Sequence, residues 1–245
     1  EHQLQLTGMH THFGSGGDPE VWQRCARLSL AIVAQLPDVT RLSLGGGFKV
    51  ARMPGEESAD LQEIGQALLS DFRNFTEEHQ RPLHLEIEPG TFLVANAGVI
   101  LADIIDVVDT GEDGYVFAKT DSGMTELLRP NLYGAQHPIE IVGASSDSAS
   151  ETVDLVVTGH CCESGDVLTP APGNPESLAP RHLPRPLVGD TLVIGGAGAY
   201  CSGFAGKHYN SFPEAPEVLL TSEGRFQLIR SRQTLQEIVK NEIYD

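Results

Sequence analysis

The sequence predicts an α/β portion that gives way to a β-rich portion near residue 98. Over the first hundred residues, apolar runs of strand length alternate with stretches whose apolar residues recur at helical spacing. Beyond residue 98 short β-branched runs follow one another, separated by Gly, Asp, Ser and Pro. With 245 residues, 40% of them hydrophobic, the chain can build a sizeable core as one large domain or two small ones.

Residues 4–13 read as a strand that ends in small residues and histidine. Residues 19–35 place Val21, Cys25, Leu28 and Ile32 at helical spacing, and 39–44 form a strand running into Gly45, Gly46 and Gly47. A second amphipathic helix with an acidic start covers 58–79, and a third strand 83–87. This order implies a parallel sheet, wound or closed into a barrel. In the second part, residues 100–107, 139–142, 153–157 and 191–194 are β-rich, and an antiparallel β domain is expected. Residues 169–186 hold six of the 15 prolines and read as a surface loop, whereas 233–244 read as a terminal helix. The expected domains are 1–98 and 99–245.

Lys and Arg number 16 against 34 Asp and Glu, a net charge of −18. Such a surface repels phosphate backbones and anionic lipid heads, so neither nucleic acid nor a membrane is an expected partner. The longest apolar stretch, 93–108, is broken by Asn96, Asp103 and Asp106 and falls short of the roughly 20 apolar residues of a bilayer span. Four cysteines, of which Cys161 and Cys162 are adjacent, argue for reduced thiols and a cytoplasmic protein. The first residue is Glu1 rather than Met, so a longer polypeptide is expected.

The polar clusters of the first part lie where strands end, the place at which parallel α/β folds carry active sites. His10-Thr11-His12-Phe13-Gly14-Ser15 closes the first strand, the triple glycine the second, and Glu86-Ile87-Glu88-Pro89-Gly90 the third. Gly45, Gly46 and Gly47 offer backbone N–H groups that could cradle a phosphate, with Ser15 adding a hydroxyl; a plain tight turn would use the same residues. Glu88 either caps the next helix or meets a cation such as a pyridinium nitrogen. His10 and His12 share a face and fit three readings: a metal pair, one ring stacked on a planar cofactor, or satisfied polar groups.

In the second part His160-Cys161-Cys162-Glu163-Ser164-Gly165-Asp166 places two thiols beside carboxylates. No second Cys or His pair at zinc-finger spacing accompanies them, so a cysteine that delivers a proton or attacks a carbon is the better functional reading. Gly195–Cys201 is a glycine-rich turn bearing the Tyr200 phenol, and Arg129 with Tyr133 suits a carboxylate.

In order along the chain, the strings HTHFGSG, LGGGF, EIEPGTFLVANAG, DSGMTELLRPNLYGA, HCCESGDVL, GAGAYC and YNSFPEAPEVLL resemble those of the pyridoxal-phosphate decarboxylases of the alanine-racemase-like fold, diaminopimelate decarboxylases among them. The resemblance implies the C-terminal part of a (β/α)8 barrel followed by an antiparallel β-barrel or Greek-key domain. It implies pyridoxal 5′-phosphate as cofactor, with His12 stacked on its ring. Ser15, the glycine run and the turn Glu88, Pro89, Gly90 and Thr91 would hold the phosphate side. Glu88 would pair with the ring nitrogen, Cys162 would protonate the carbanion left by CO2, and His12, Glu88 and Cys162 form the catalytic set. Arg129, Tyr133 and Glu163 would bind the far end of a small amino-acid substrate, and Tyr200 would touch cofactor and substrate. The family works as a homodimer in which this cysteine comes from the partner subunit. No metal is implied.

Three departures stand out. The lysine that anchors the cofactor in the family has no counterpart among Lys49, Lys119, Lys207 and Lys240, so the first barrel strands are expected to lie outside this chain. Thr91 stands where an arginine usually follows Glu-Pro-Gly, and Phe212-Pro213-Glu214 where an Arg-Pro pair is common. Fewer positive charges weigh against a second substrate carboxylate and bring in a basic amino acid such as lysine or ornithine, in D or L configuration. Two other readings stand beside this one. One is a metal-dependent barrel hydrolase using His10, His12, His84 and His160; the other is a non-catalytic relative that binds a protein partner.

Overall fold

The computed structural model describes residues 3–143 and 151–243. The chain divides into two compact units, Glu1–Ala95 and Asn96–Asp245, each with its own hydrophobic cluster.

In the first unit, strands β1 (Gly8–His10), β2 (Arg41–Ser43) and β3 (His84–Glu86) alternate with helices α1 (Pro19–Val33) and α2 (Leu61–His79), and α3 (Gly90–Val94) follows. The strands form a parallel sheet in the order β1-β2-β3, with Met9 opposite Leu42 and Leu42 opposite Leu85. Pairing covers three residues of each strand, so the expected strand over 4–13 shrinks to its central part. Asp18 caps α1 by accepting the Glu20 amide, with Pro19 in the first turn; Asp60 caps α2 by accepting from Gln62 and Glu63.

The buried stripe of α1 is Trp22, Ala26, Ser29, Leu30 and Val33. The stripe expected from Val21, Cys25, Leu28 and Ile32 lies off to one side, and Leu28 is 64% exposed. Two apolar stripes compete on this helix, and Trp22 decides between them: it stacks on Phe48 (centroids 4.2 Å apart) and takes the edge of Phe13 at 4.6 Å.

The second unit holds β4 (Ile100–Asp109), β5 (Val116–Thr120), the one-turn helix α4 (Arg129–Tyr133), β6 (Ile139–Val142), β7 (Thr152–Thr158) and β8 (Pro170–Ala171). It continues with β9 (Asn174–Leu178), β10 (Arg181–Pro184), β11 (Thr191–Ile194), β12 (Glu217–Leu220), β13 (Phe226–Arg230) and α5 (Leu235–Ile238). Its main sheet has six strands in the order β10-β7-β5-β4-β11-β6. The expected antiparallel domain is in fact mixed, because β5 and β7 run parallel. The connection between them carries α4 and β6 and is long enough for the crossover that parallel pairing needs.

The proline-rich stretch is not a plain loop. β8 and β9 form a hairpin, and β10 pairs with β7 at the sheet edge. Proline is tolerated there because an edge strand leaves N–H positions unpaired. The expected terminal helix contracts to the single turn α5, closed by a Thr234–Glu237 capping box; Tyr244, its expected end, lies outside the described residues.

Candidate active-site elements

The ends of β1, β2 and β3 bring three of the expected clusters together in the first unit. Ser43, the last residue of β2, donates its hydroxyl to Glu88 Oε1 at 3.0 Å and accepts the Gly45 amide at 3.2 Å. His10 Nδ1 lies 3.0 Å from Ser43 Oγ and 3.2 Å from Glu88 Oε1. Glu88 therefore does not cap α3, whose first turn has no side-chain cap. Its carboxylate turns back over the strand ends and remains 57% exposed. His10 is on β1, whereas His12 lies beyond the strand and accepts the Gly46 amide on Nδ1 at 3.4 Å.

The glycine run is required by close packing. A Cβ on Gly45, whose φ is 74°, would sit 2.7 Å from His12 Nδ1. One on Gly46 would strike the Glu88 carbonyl, and one on Gly47, at φ 95°, the Gly14 carbonyl and the Cα of Ser15. The run thus locks the loops bearing His12, Ser15 and Glu88 onto β2. It does not open a helix, since residues 48–60 intervene before α2. Ser15 and Gly90 are exposed, and Pro89 and Thr91 are half-buried.

In the second unit the buried carboxylate of Asp166 organises the cysteine loop. Oδ1 accepts the Met124 amide at 2.8 Å and Oδ2 the Cys161 amide at 3.0 Å. Gly123 and Gly159 are needed beside it, because a Cβ at either would collide with this carboxylate. Burial and then Asp166 push the Cys161 thiol up to about 12. Cys162 is exposed, and its amide donates to Asn210 Oδ1 at 2.8 Å. Glu163 accepts the Gly165 amide at 3.1 Å and the Tyr209 hydroxyl at 2.9 Å, which hold its carboxyl below the ordinary carboxylate range. The same bond raises the Tyr209 phenol.

Arg129 opens α4 and Tyr133 closes it. The helix is fastened to the cysteine loop by Asn131, whose amide donates to the carbonyls of Gly165 and Val167. Arg129 Nε is buried and has no hydrogen-bond partner among the described residues. Tyr133 lies parallel to Phe204, and Tyr200 meets the same ring edge-on, each with centroids 6.3 Å apart. Tyr200 adopts a left-handed φ of 54°, a strain on the order of 1–3 kcal/mol, and is 62% exposed. Ile100, Ile105, Ser122, Glu126, His160 and Phe212 line a cleft of about 400 Å³.

Sequence reasoning missed Ser43, Asp166, Tyr209, Asn210 and Phe204 as parts of these arrangements. Position alone pointed to Ser43, the residue at the strand end before the glycine run; Asp166 and Tyr209–Asn210 lay inside motifs already singled out. Among the described residues, no group of three or more His, Cys, Asp or Glu could hold a metal ion.

The family model described as pyridoxal-dependent decarboxylase, C-terminal sheet domain, matches residues 31–198. The diaminopimelate decarboxylase of Escherichia coli (strain K12) is 38% identical over 246 residues, covering 99% of this chain and 57% of the relative. That of Streptomyces coelicolor is 36% identical over 244 residues, covering 99% and 54%. A crystal structure of diaminopimelate decarboxylase superposes with a TM-score of 0.88 at 36% identity, over 98% of this chain and 56% of that one. The Helicobacter pylori diaminopimelate decarboxylase complexed with L-lysine gives 0.78 at 28% identity, over 96% and 54%. The chain spans little more than half the length of these relatives.

Proposed function

The chain belongs to the pyridoxal-dependent decarboxylase family, and on that premise we propose that the whole protein decarboxylates a diamino acid, diaminopimelate first, with pyridoxal 5′-phosphate as cofactor. The observation that carries this reading is the Ser43–Glu88–His10 arrangement at adjoining parallel strand ends, beside the His12 ring and the glycine-locked loops. An exposed carboxylate held from behind by a hydroxyl suits the ring nitrogen, and backbone free of side chains suits a phosphate.

In this reading Glu88 would pair with the ring nitrogen, oriented by Ser43 and His10, and His12 would stack on the ring. Ser15, Gly45–Gly47 and the Glu88–Thr91 turn would hold the phosphate. When bound, the group supplies an electron sink for the bond broken as CO2 leaves. Cys162 would deliver a proton to the substrate carbon. Arg129, Tyr133 and Glu163 would bind the far end of the substrate, with the unpartnered Arg129 Nε available to a carboxylate. Tyr200 would touch both substrate and cofactor.

The lysine that anchors the cofactor would come from outside this chain. Lys119 and Lys207 are committed to Asp106 at 2.8 Å and Glu214 at 2.5 Å. The whole protein would form a (β/α)8 barrel with a β domain and work as a cytoplasmic homodimer in lysine biosynthesis. Among the described residues no helix is long and apolar enough to cross a membrane. The hydrolase and non-catalytic readings gain no support: His10 is occupied by Ser43 and Glu88, and the matching relatives are decarboxylases.

Thr91 favours a second substrate reading, a basic amino acid such as lysine or ornithine. Glu214 does not add to it, because Lys207 and Arg230 occupy its carboxylate. The test is an absorbance spectrum of the whole protein with pyridoxal phosphate, followed by a panel of D- and L-diamino acids. A borohydride-sensitive band and turnover of diaminopimelate are expected. A band with turnover of lysine or ornithine alone would select the second reading, and a protein that gives no band would refute both.

A further inference from the structure

Two segments of the second unit grip each other at three places, the order along one reversed along the other. The Phe212 ring stacks on His160 with centroids 3.6 Å apart and planes 5° from parallel. Asn210 Oδ1 accepts the Cys162 amide at 2.8 Å, and the Tyr209 hydroxyl donates to Glu163 Oε2 at 2.9 Å.

The gripping turn is held in an unfavourable backbone shape. His208, Asn210 and Ser211 have φ of 62°, 51° and 64°. Non-glycine residues stay in that region when their surroundings over-determine it. Polar contacts on both sides anchor it: Lys207 pairs with Glu214 at 2.5 Å, and Gln233 Oε1 meets His208 Nε2 at 2.8 Å and the Glu214 amide at 3.0 Å. Behind the loop, Asp166 takes the Cys161 amide, and Thr125 bonds His160 Nε2 at 2.7 Å. The Cys162–Glu163 segment is therefore fixed on both sides.

We propose that the 208–212 turn is a positioning clamp for Cys162 and Glu163, and that Asn210 is its key residue. Asn210 tolerates left-handed backbone and fixes the Cys162 amide in the same side chain, so the turn's strain is converted into a set position for the thiol. Tyr209 and Phe212 hold the flanking residues Glu163 and His160. The inference rests on the reading of Cys162 and Glu163 as parts of a decarboxylase site.

Two substitutions separate backbone from side chain. Asn210→Gly keeps the left-handed turn and removes the acceptor; Asn210→Asp keeps both. Amide hydrogen exchange of peptides covering 160–166 is measured in the whole protein loaded with pyridoxal phosphate, alongside CO2 release from diaminopimelate. In Asn210→Gly these amides should exchange about tenfold faster, and kcat should fall about tenfold with KM changed less than about twofold. Asn210→Asp should restore both. Unchanged exchange in Asn210→Gly, or equal loss in Asn210→Asp, overturns the clamp while decarboxylation by the unaltered protein stands. If the unaltered protein decarboxylates no diamino acid, the proposed function falls, and the positioning role falls with it even where exchange differs.

Discussion

Glu163 keeps its charge through donors that can be removed one at a time. The Gly165 amide and then the Tyr209 hydroxyl hold its carboxyl below the ordinary range, so the ionised form survives further into acid than an unassisted glutamate. Tyr209→Phe deletes one donor, and the pKa should rise toward the ordinary value. The acid limb of the kcat–pH profile should then move to higher pH; an unmoved limb would show that Glu163 does not govern it. The two adjacent thiols should also differ. With Cys161 pushed up to about 12 by burial and Asp166, and Cys162 exposed, iodoacetamide at about pH 8 should label Cys162 and spare Cys161 in peptide mapping. Labelling of Cys161 first would contradict that ordering. At this scale the sequence was informative where chemistry and position coincide, as with Glu88 and the cysteine loop. It could not reveal that Ser43 and Asn210 are the residues that orient them, because hydroxyl and amide side chains are ordinary in turns until a partner more than 30 residues away is known.

At the scale of elements, Arg81 closes α1. Its guanidinium donates to the carbonyls of Val33 at 2.9 Å, Leu36 at 2.9 Å and Val39 at 2.5 Å, and stands 5.2 Å over the Phe75 ring. Only the Val33 carbonyl belongs to α1, and those of Leu36 and Val39 lie in the turn that follows; losing a charged donor from all three is costly, so Arg81→Ala should lower stability by about 3 kcal/mol. Arg81→Lys should recover less than half of that, because an ammonium cannot reproduce the fork. Asp166→Asn replaces one acceptor by a donor facing an amide and should cost about 2 kcal/mol in urea unfolding, with Cys161 becoming open to alkylation. The helices were readable because capping residues and apolar spacing agree: Asp18 and Asp60 mark their starts. The face of α1 was not, since two apolar stripes differ only in which one Phe13 and Phe48 meet. Strands β8, β9 and β10 were hidden by prolines that edge positions tolerate, and the parallel β5–β7 pair by a pairing choice made across the chain. The β12–β13 hairpin did carry a local signal, two apolar runs around Gly224 at φ 76°, and was overlooked.

At the scale of the molecule, the net charge is −18, the first unit sets the exposed Glu88 carboxylate at its strand ends, and the second unit holds ionised Glu163 beside a thiol. Such a surface attracts molecules that carry ammonium groups, whereas a polyanion would be turned away. The family and the parallel strand order were legible from motif order and from alternation along the chain. The completeness of the catalytic set was not, because none of Lys49, Lys119, Lys207 and Lys240 stands in a matching motif. The most direct test is release of labelled CO2 from carboxyl-labelled diaminopimelate by the whole protein with and without pyridoxal phosphate, compared with Glu88→Ala. Labelled CO2 with equimolar lysine, dependent on the cofactor and lowered at least about a hundredfold by the substitution, is expected. Cofactor-independent release, or undiminished release from Glu88→Ala, would contradict the assignment of these strand ends as the cofactor site.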